Sequence, residues 1–158
     1  MREAKFEVRL REYIDAQVPI IYIDSFDDNK IDDLICDVTG NRIVWEWNEM
    51  NGCVIRKKIK EGKPKQVYEI INAEQTLYQL LKSGVKDDEL HRKVLIIKDI
   101  HNYLEEPKLV ALLKNACLKI EAGRLETTFI FLSSIVKVPK ELEKYMVLIR
   151  EDFLDEEQ

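Results

Sequence analysis

The apolar positions of this chain keep two rhythms in turn. Phe6, Leu10, Tyr13 and Ile14 recur between charged residues at the spacing of one helical face, which predicts an amphipathic helix over about Lys5–Ala16. Pro19 ends it, and Ile20-Ile21-Tyr22-Ile23 follows as a short buried strand closed by Asp24. After the loop Ser25–Asp28, where Asp27 or Asp28 can cap, Ile31, Leu34, Ile35 and Val38 mark a second helix that Gly40 stops. Arg42–Asn48 is a second strand. Cys53–Ile55 and Gln66–Ile71 then flank Glu61-Gly62-Lys63-Pro64 as a β-hairpin projecting from the body. Asn72 and Gln75 read as a capping-box pair for a helix that carries Leu77, Leu80 and Leu81 and ends at Gly84.

The run Val94-Leu95-Ile96-Ile97 has no alternation at all, the mark of a strand buried on both faces in the middle of a parallel sheet. Lys98, Asp99 and His101 stand at its carboxyl end, the side on which open α/β sheets bind ligands. Pro107 opens the longest apolar helical face, from Leu109 to Ile120, which Gly123 closes. Thr127–Ser134 is a further buried strand, a short helical turn follows Pro139, and Tyr145–Ile149 is the last strand. Strands separated by helices imply parallel βαβ crossovers. The expected fold is α/β, a three-layer sandwich around a five-stranded parallel sheet with a hairpin insertion.

Composition narrows the setting. With 158 residues, 46% apolar and 35% charged, the chain suits one globular domain with its own core. Its net charge of −5 argues against a general nucleic-acid or membrane binder. Cys36, Cys53 and Cys117 lie far apart without a metal-site spacing, and an odd, unpatterned count points to a reducing compartment, hence the cytoplasm. There is no leader-like start and no apolar run approaching the ~20 residues of a membrane span.

Phosphate binding is the chemistry that a parallel α/β sheet suggests first. A P-loop places glycines after the first strand so that backbone N–H groups cradle phosphate and a Lys reaches it. Here that stretch is Asp24-Ser25-Phe26-Asp27-Asp28-Asn29-Lys30, with no glycine and three carboxylates where phosphate would sit. Lys30 alone does not restore the site. In P-loop ATPases the central strand ends in acidic residues that support Mg²⁺ and activate water. The corresponding positions are Lys98 and Asp99, and a cation at the metal-side position cannot help to hold a metal. They read as solvated residues of a strand end with a vestigial nucleotide geometry.

Several runs together resemble a known family: Pro19–Ile23; Val94–Tyr103 with Leu104-Glu105-Glu106-Pro107 opening a helix; and Phe131-Leu132-Ser133-Ser134 followed by Val138-Pro139-Lys140-Glu141-Leu142-Glu143. Their order and spacing are similar to the N-terminal domain of an AAA-type ATPase family, which includes a hypothetical chloroplast reading frame of plastids and cyanobacteria and bacterial relatives. The similarity runs from Phe6 to about Glu157, and the Asn51–Ile71 hairpin departs from it. The resemblance implies a degenerate RecA/P-loop-like domain over residues 1–150, a hairpin insertion at 49–71 and a strand order 5-1-4-3-2. Residues 151–158 are then an acidic tail or a linker to a missing AAA module. It further implies vestigial sites: Lys98 and Asp99 at the Walker-B-like position, Asp24, Ser25, Asp27, Asp28 and Lys30 at the P-loop position, Ser133 and Ser134 at the sensor position. ATP and Mg²⁺ belong to the parent chain and not to this domain. The partners implied are the domain's own C-terminal module or neighbouring protomers, with a protein substrate possible and a regulatory or assembly role.

Two other readings stay open. A response-regulator receiver also sets acidic residues after its first strand, a phosphoacceptor Asp after its third, a hydroxyl after its fourth and a cation after its fifth. Asp24, Asp27, Asp28, Asp99, Ser133 and Arg150 resemble that set, although a helix precedes the first strand and the last cation is not Lys. A docking function could reside in the hairpin, where Arg56, Lys57, Lys58, Lys60, Lys63 and Lys65 form a basic patch open to an acidic partner, nucleic acid being unlikely. His91 and His101 lack metal-ligand company, and the pairs Asp32/Asp33 and Asp87/Asp88 read as exposed or capping residues.

Overall fold

The computed structural model describes residues 2–25, 28–59 and 65–150. The elements follow the order α1 (Arg2–Asp15), β1 (Ile20–Asp24), α2 (Asp28–Val38), β2 (Ile43–Asn48), β3 (Gly52–Ile59), β4 (Lys65–Asn72), α3 (Leu77–Lys86), β5 (Lys93–Lys98), α4 (Pro107–Glu121), β6 (Thr127–Ser133) and β7 (Met146–Arg150). Single helical turns at Ile100–Asn102 and Glu143–Tyr145 link the later elements.

All seven strands form one mixed sheet in the order β4-β3-β2-β5-β6-β1-β7. This corrects the expectation of a five-stranded, wholly parallel sheet. β3 pairs antiparallel with β2 from Val44↔Arg56 to Asn48↔Gly52, and β4 pairs antiparallel with β3, so the hairpin extends the sheet instead of projecting from it. The strands that pair in parallel run β2-β5-β6-β1-β7. The turn from β2 into β3 depends on Gly52. Its φ is +64°, and a Cβ there would lie 2.2 Å from the Asn72 carbonyl oxygen.

The central strand feeds two cores. Leu95 and Ile97 pack with Trp47, Tyr22, Phe129, Phe131 and the inner faces of α3 and α4. Val94 and Ile96 pack with Ile21, Ile23, Ile130, Leu132 and the inner faces of α1 and α2. An unbroken apolar run is therefore required at β5: each residue faces one helical layer or the other, and all four are fully buried. Cys53 and Cys117 are buried within the first core, and burial pushes their thiols up, to about 11 and about 12.

Two local expectations change at α3. Its N-cap is Thr76, whose hydroxyl accepts from the Gln79 amide while the Gln79 side chain accepts from the Thr76 amide. Asn72 instead ends β4. Gly84 does not end the helix either: it is buried inside it, where a Cβ would come within 2.5 Å of the Leu90 side chain, so glycine is needed for close packing. Pro107 occupies the first turn of α4 as the sequence indicates.

Candidate functional site

The carboxyl edge of the sheet holds a group of buried charges that begins at Lys98. Even-numbered residues of β5 face α2, so Lys98 follows Val94 and Ile96 into that layer. Its Nζ donates to Asp32 Oδ2 of α2 at 2.7 Å and lies 3.8 Å from Glu46 Oε1 of β2. Arg56 of β3 reaches the same two carboxylates, through a terminal nitrogen 2.9 Å from Asp32 Oδ2 and Nε 2.8 Å from Glu46 Oε1. Asp32 and Glu46 are 1% and 2% exposed, and the Lys98 side chain only 11%. Lys98 is therefore not the solvated strand-end residue that its position suggests, and Asp32 is not a surface carboxylate.

The four charges cancel, and their second coordination is almost complete. Glu46 Oε2 also accepts from Asn48 Nδ2 at 2.7 Å and lies 3.5 Å from the Tyr68 hydroxyl, which takes a further bond from Asn51. The Arg56 guanidinium lies 5.0 Å from the centroid of the Tyr68 ring. Burial works against the charge of Arg56, but Asp32 and Glu46 more than offset it and hold the group protonated. Asp32 Oδ1, in contrast, is buried and has no partner among the described residues. Burial pushes the Asp32 carboxyl up to about 6 in spite of the opposing pull of Lys98 and Arg56, and an oxygen with no donor adds nothing to favour the ionised form.

The other edge positions are tied to one another. In a phosphate cradle, backbone N–H groups face the ligand. Here the Ser25 N–H bonds the Ser133 carbonyl at 3.3 Å and the Asp99 N–H bonds the Leu132 carbonyl at 2.9 Å, so both strand ends lean on β6. Ser133 is buried: its hydroxyl donates to the Ile135 carbonyl (2.9 Å), accepts from the Ile135 amide (3.2 Å) and sits 2.6 Å from His101 Nδ1. The Tyr22 hydroxyl donates to the same Ile135 carbonyl at 2.9 Å and lies 3.3 Å from the Lys137 amide. The segment after β6 is thereby fastened over the ends of β1 and β6.

Ser134 is exposed, and Asp99 is exposed with a left-handed backbone at φ 53°. Asp24 pairs with Arg150 across the β1–β7 register at 3.6 Å. Lys30 is part-buried on α2, while Asp27 and the side chain of Asp28 lie outside the described residues. The structure thus gathers Ser25, Asp99 and Ser133 at one edge, draws Lys98 away into its ion pairs, and leaves Ser134 outside.

The proposed docking patch divides in the same way. Arg56 belongs to the buried charges and not to a basic surface. Lys60 and Lys63, and the side chains of Lys57, Lys58 and Lys65, lie outside what is described. Trp47 is core: its indole N–H donates to the Gln75 carbonyl at 2.8 Å and its ring meets Tyr103 edge-on at 5.2 Å.

The strand order also decides against the receiver. Flavodoxin-like folds place the first strand beside the second, in the order 2-1-3-4-5. Here β1 lies between β6 and β7, and β2 is paired with β3 and β5.

Among the described residues no three His, Cys, Asp or Glu side chains are gathered so as to hold a metal ion, and no helix is long and apolar enough to cross a membrane. Glu46 is not singled out by the sequence, and Asp32 and Arg56, read there as an exposed or capping residue and as part of a basic patch, belong instead to this buried cluster. The available signal was Lys98 itself, a cation ending a strand that is otherwise buried and so in need of counter-charges nearby.

Residues 6–150 match the family model of the SpoVK-like AAA ATPase, N-terminal domain. No curated protein matches the chain.

Proposed function

The chain belongs to the family of SpoVK-like AAA ATPase N-terminal domains, and from that premise we propose that it serves as a non-catalytic regulatory and assembly domain. ATP is bound together with Mg²⁺, and hydrolysed, by a separate C-terminal module of the parent chain. The observation that carries this reading is the fate of Lys98. At the strand end where a nucleotide engine keeps a metal-supporting acid, this chain has a cation whose charge is already matched by Asp32, 2.7 Å away, and by Glu46 beyond it. Supporting it are the N–H groups of Ser25 and Asp99, spent on β6 carbonyls instead of a ligand, and the absence of glycine in the stretch after β1.

The domain's partners are its own C-terminal module or neighbouring protomers, and three free cysteines suit a reducing, cytoplasmic setting. Isothermal titration of the 158-residue chain with ATP and Mg²⁺ tests the proposal. No saturable heat is expected; micromolar binding that Lys98→Ala abolishes overturns it.

A further inference from the structure

Among the described residues the sheet ends on β4 and β7, and these two edges differ. β7 is five residues long, its Ile149 is buried, and it ends on the charged Arg150. Short length and charge are the devices by which natural edges avoid further pairing. β4 is less protected: over its described side chains Glu69 is the one charge. It is eight residues long, and its central segment leaves Tyr68, Ile70 and Ile71 exposed by 41%, 52% and 49%. These side chains lie on both faces. Tyr68 stands opposite Arg56, so it and Ile70 share the α2 side. Ile71 shares the other side with Glu69, which stands opposite Ile55, itself opposite Trp45. Beside that exposed apolar surface, alternate residues of any edge strand direct their N–H and C=O groups outward.

We propose that β4 pairs antiparallel with β4 of a second copy of this chain, joining the two sheets about a two-fold axis. A docked helix would cover Ile70 or Ile71 but not both, because it lies on one face of a sheet. An added strand places side chains on both faces and satisfies the free backbone groups in the same step. The segment is complementary to itself. With the axis at Ile70, Ile70 faces its own copy, Tyr68 faces Asn72 of the second copy, and Glu69 faces Ile71 of the second copy. That register brings together six apolar side chains that are exposed in the single chain, three from each copy. It opposes no like charges, whereas an axis at Glu69 would set two carboxylates directly across from each other, which is destabilising. A two-fold interface of this kind closes on itself. The pairing supplies a partner for the assembly role proposed above and rests on that role, but not on the absence of nucleotide binding; the two have separate tests.

Sedimentation equilibrium on the chain reads the self-association directly. A reversible dimer is expected, with Ile70→Lys weakening it by roughly tenfold or more through loss of apolar burial and introduction of two facing charges. Far-UV circular dichroism checks that the variant remains folded, which is expected because Ile70 is half exposed. A second variant needs no loss of binding. Directly opposed residues of antiparallel strands have Cα atoms about 4.5–5.5 Å apart, within disulfide reach. In a Cys36→Ala background, Ile70→Cys forms a covalent dimer under mild oxidation, faster than Met50→Cys, a control site that is 87% exposed. A chain that stays monomeric at all concentrations, a dimer indifferent to Ile70→Lys, or equal cross-linking at both cysteines overturns the proposal.

Discussion

The two parts of this sheet answer to different demands. The strands β2, β5, β6, β1 and β7 run parallel between two helical layers, and β5 and β6 are buried over nearly their whole length. From β3 to β4 they run antiparallel, and β4 leaves apolar side chains open on both faces. At the seam stand Lys98, Asp32, Glu46 and Arg56, one charge from each of β5, α2, β2 and β3. A parallel set of strands and an antiparallel pair are thus joined by charges gathered at the carboxyl end of β5. Charge matching at the seam makes the burial of these side chains tolerable.

The parallel side should carry the larger share of the stability. Phe131 is fully buried in the core against α3 and α4, so Phe131→Ala should cost about 4 kcal/mol in urea unfolding. At the edge, Ile71→Ala should cost less than about 0.5 kcal/mol under conditions where the chain is monomeric. Equal costs would mean that both halves are packed alike.

The seam comes next. Lys98→Met keeps the stem's packing and removes the charge, leaving Asp32 and Glu46 with Arg56 as their main cation; a loss of about 3 kcal/mol is expected. A neutral or stabilising outcome would show that the cluster is dispensable to folding.

The pH dependence gives a smaller effect whose sign is informative. The Asp32 carboxyl is raised to about 6 in the folded chain, above its ordinary value of 3.8. The folded state therefore holds this proton more tightly than the unfolded state, and the contribution of Asp32 to stability falls as pH rises from about 4 through 6. Measured by urea unfolding across that range, Asp32→Asn should gain on the natural chain by about 2 kcal/mol as pH increases. The reverse trend would show that Lys98 and Arg56 outweigh burial.

Much of the scaffold was legible because its signals are local. Val94–Ile97 had to be a doubly buried strand, and Pro107 had to open a helix. Both hairpin strands were visible too. Their place in the sheet was not, because the pairing of Val44 with Arg56 leaves no trace in the spacing of either segment. The cap of α3 was misplaced by one turn, since Asn72/Gln75 and Thr76/Gln79 fit the same pattern and only the second pair stands immediately before Leu77. Arg56 was grouped with neighbouring lysines by composition, although tertiary structure turns its guanidinium inward. Asp32 carries a charge on a helix, which ordinarily reads as surface, and only a counter-charge distant in sequence makes its burial tolerable.

The most direct test of the central claim is an amide-resolved nuclear magnetic resonance titration of the chain with a non-hydrolysable ATP analogue and Mg²⁺. The amides of Ser25, Lys98, Asp99 and Ser133 should stay in place up to millimolar nucleotide. Saturable shifts confined to those four residues would contradict the claim and return this edge to the nucleotide-binding sites.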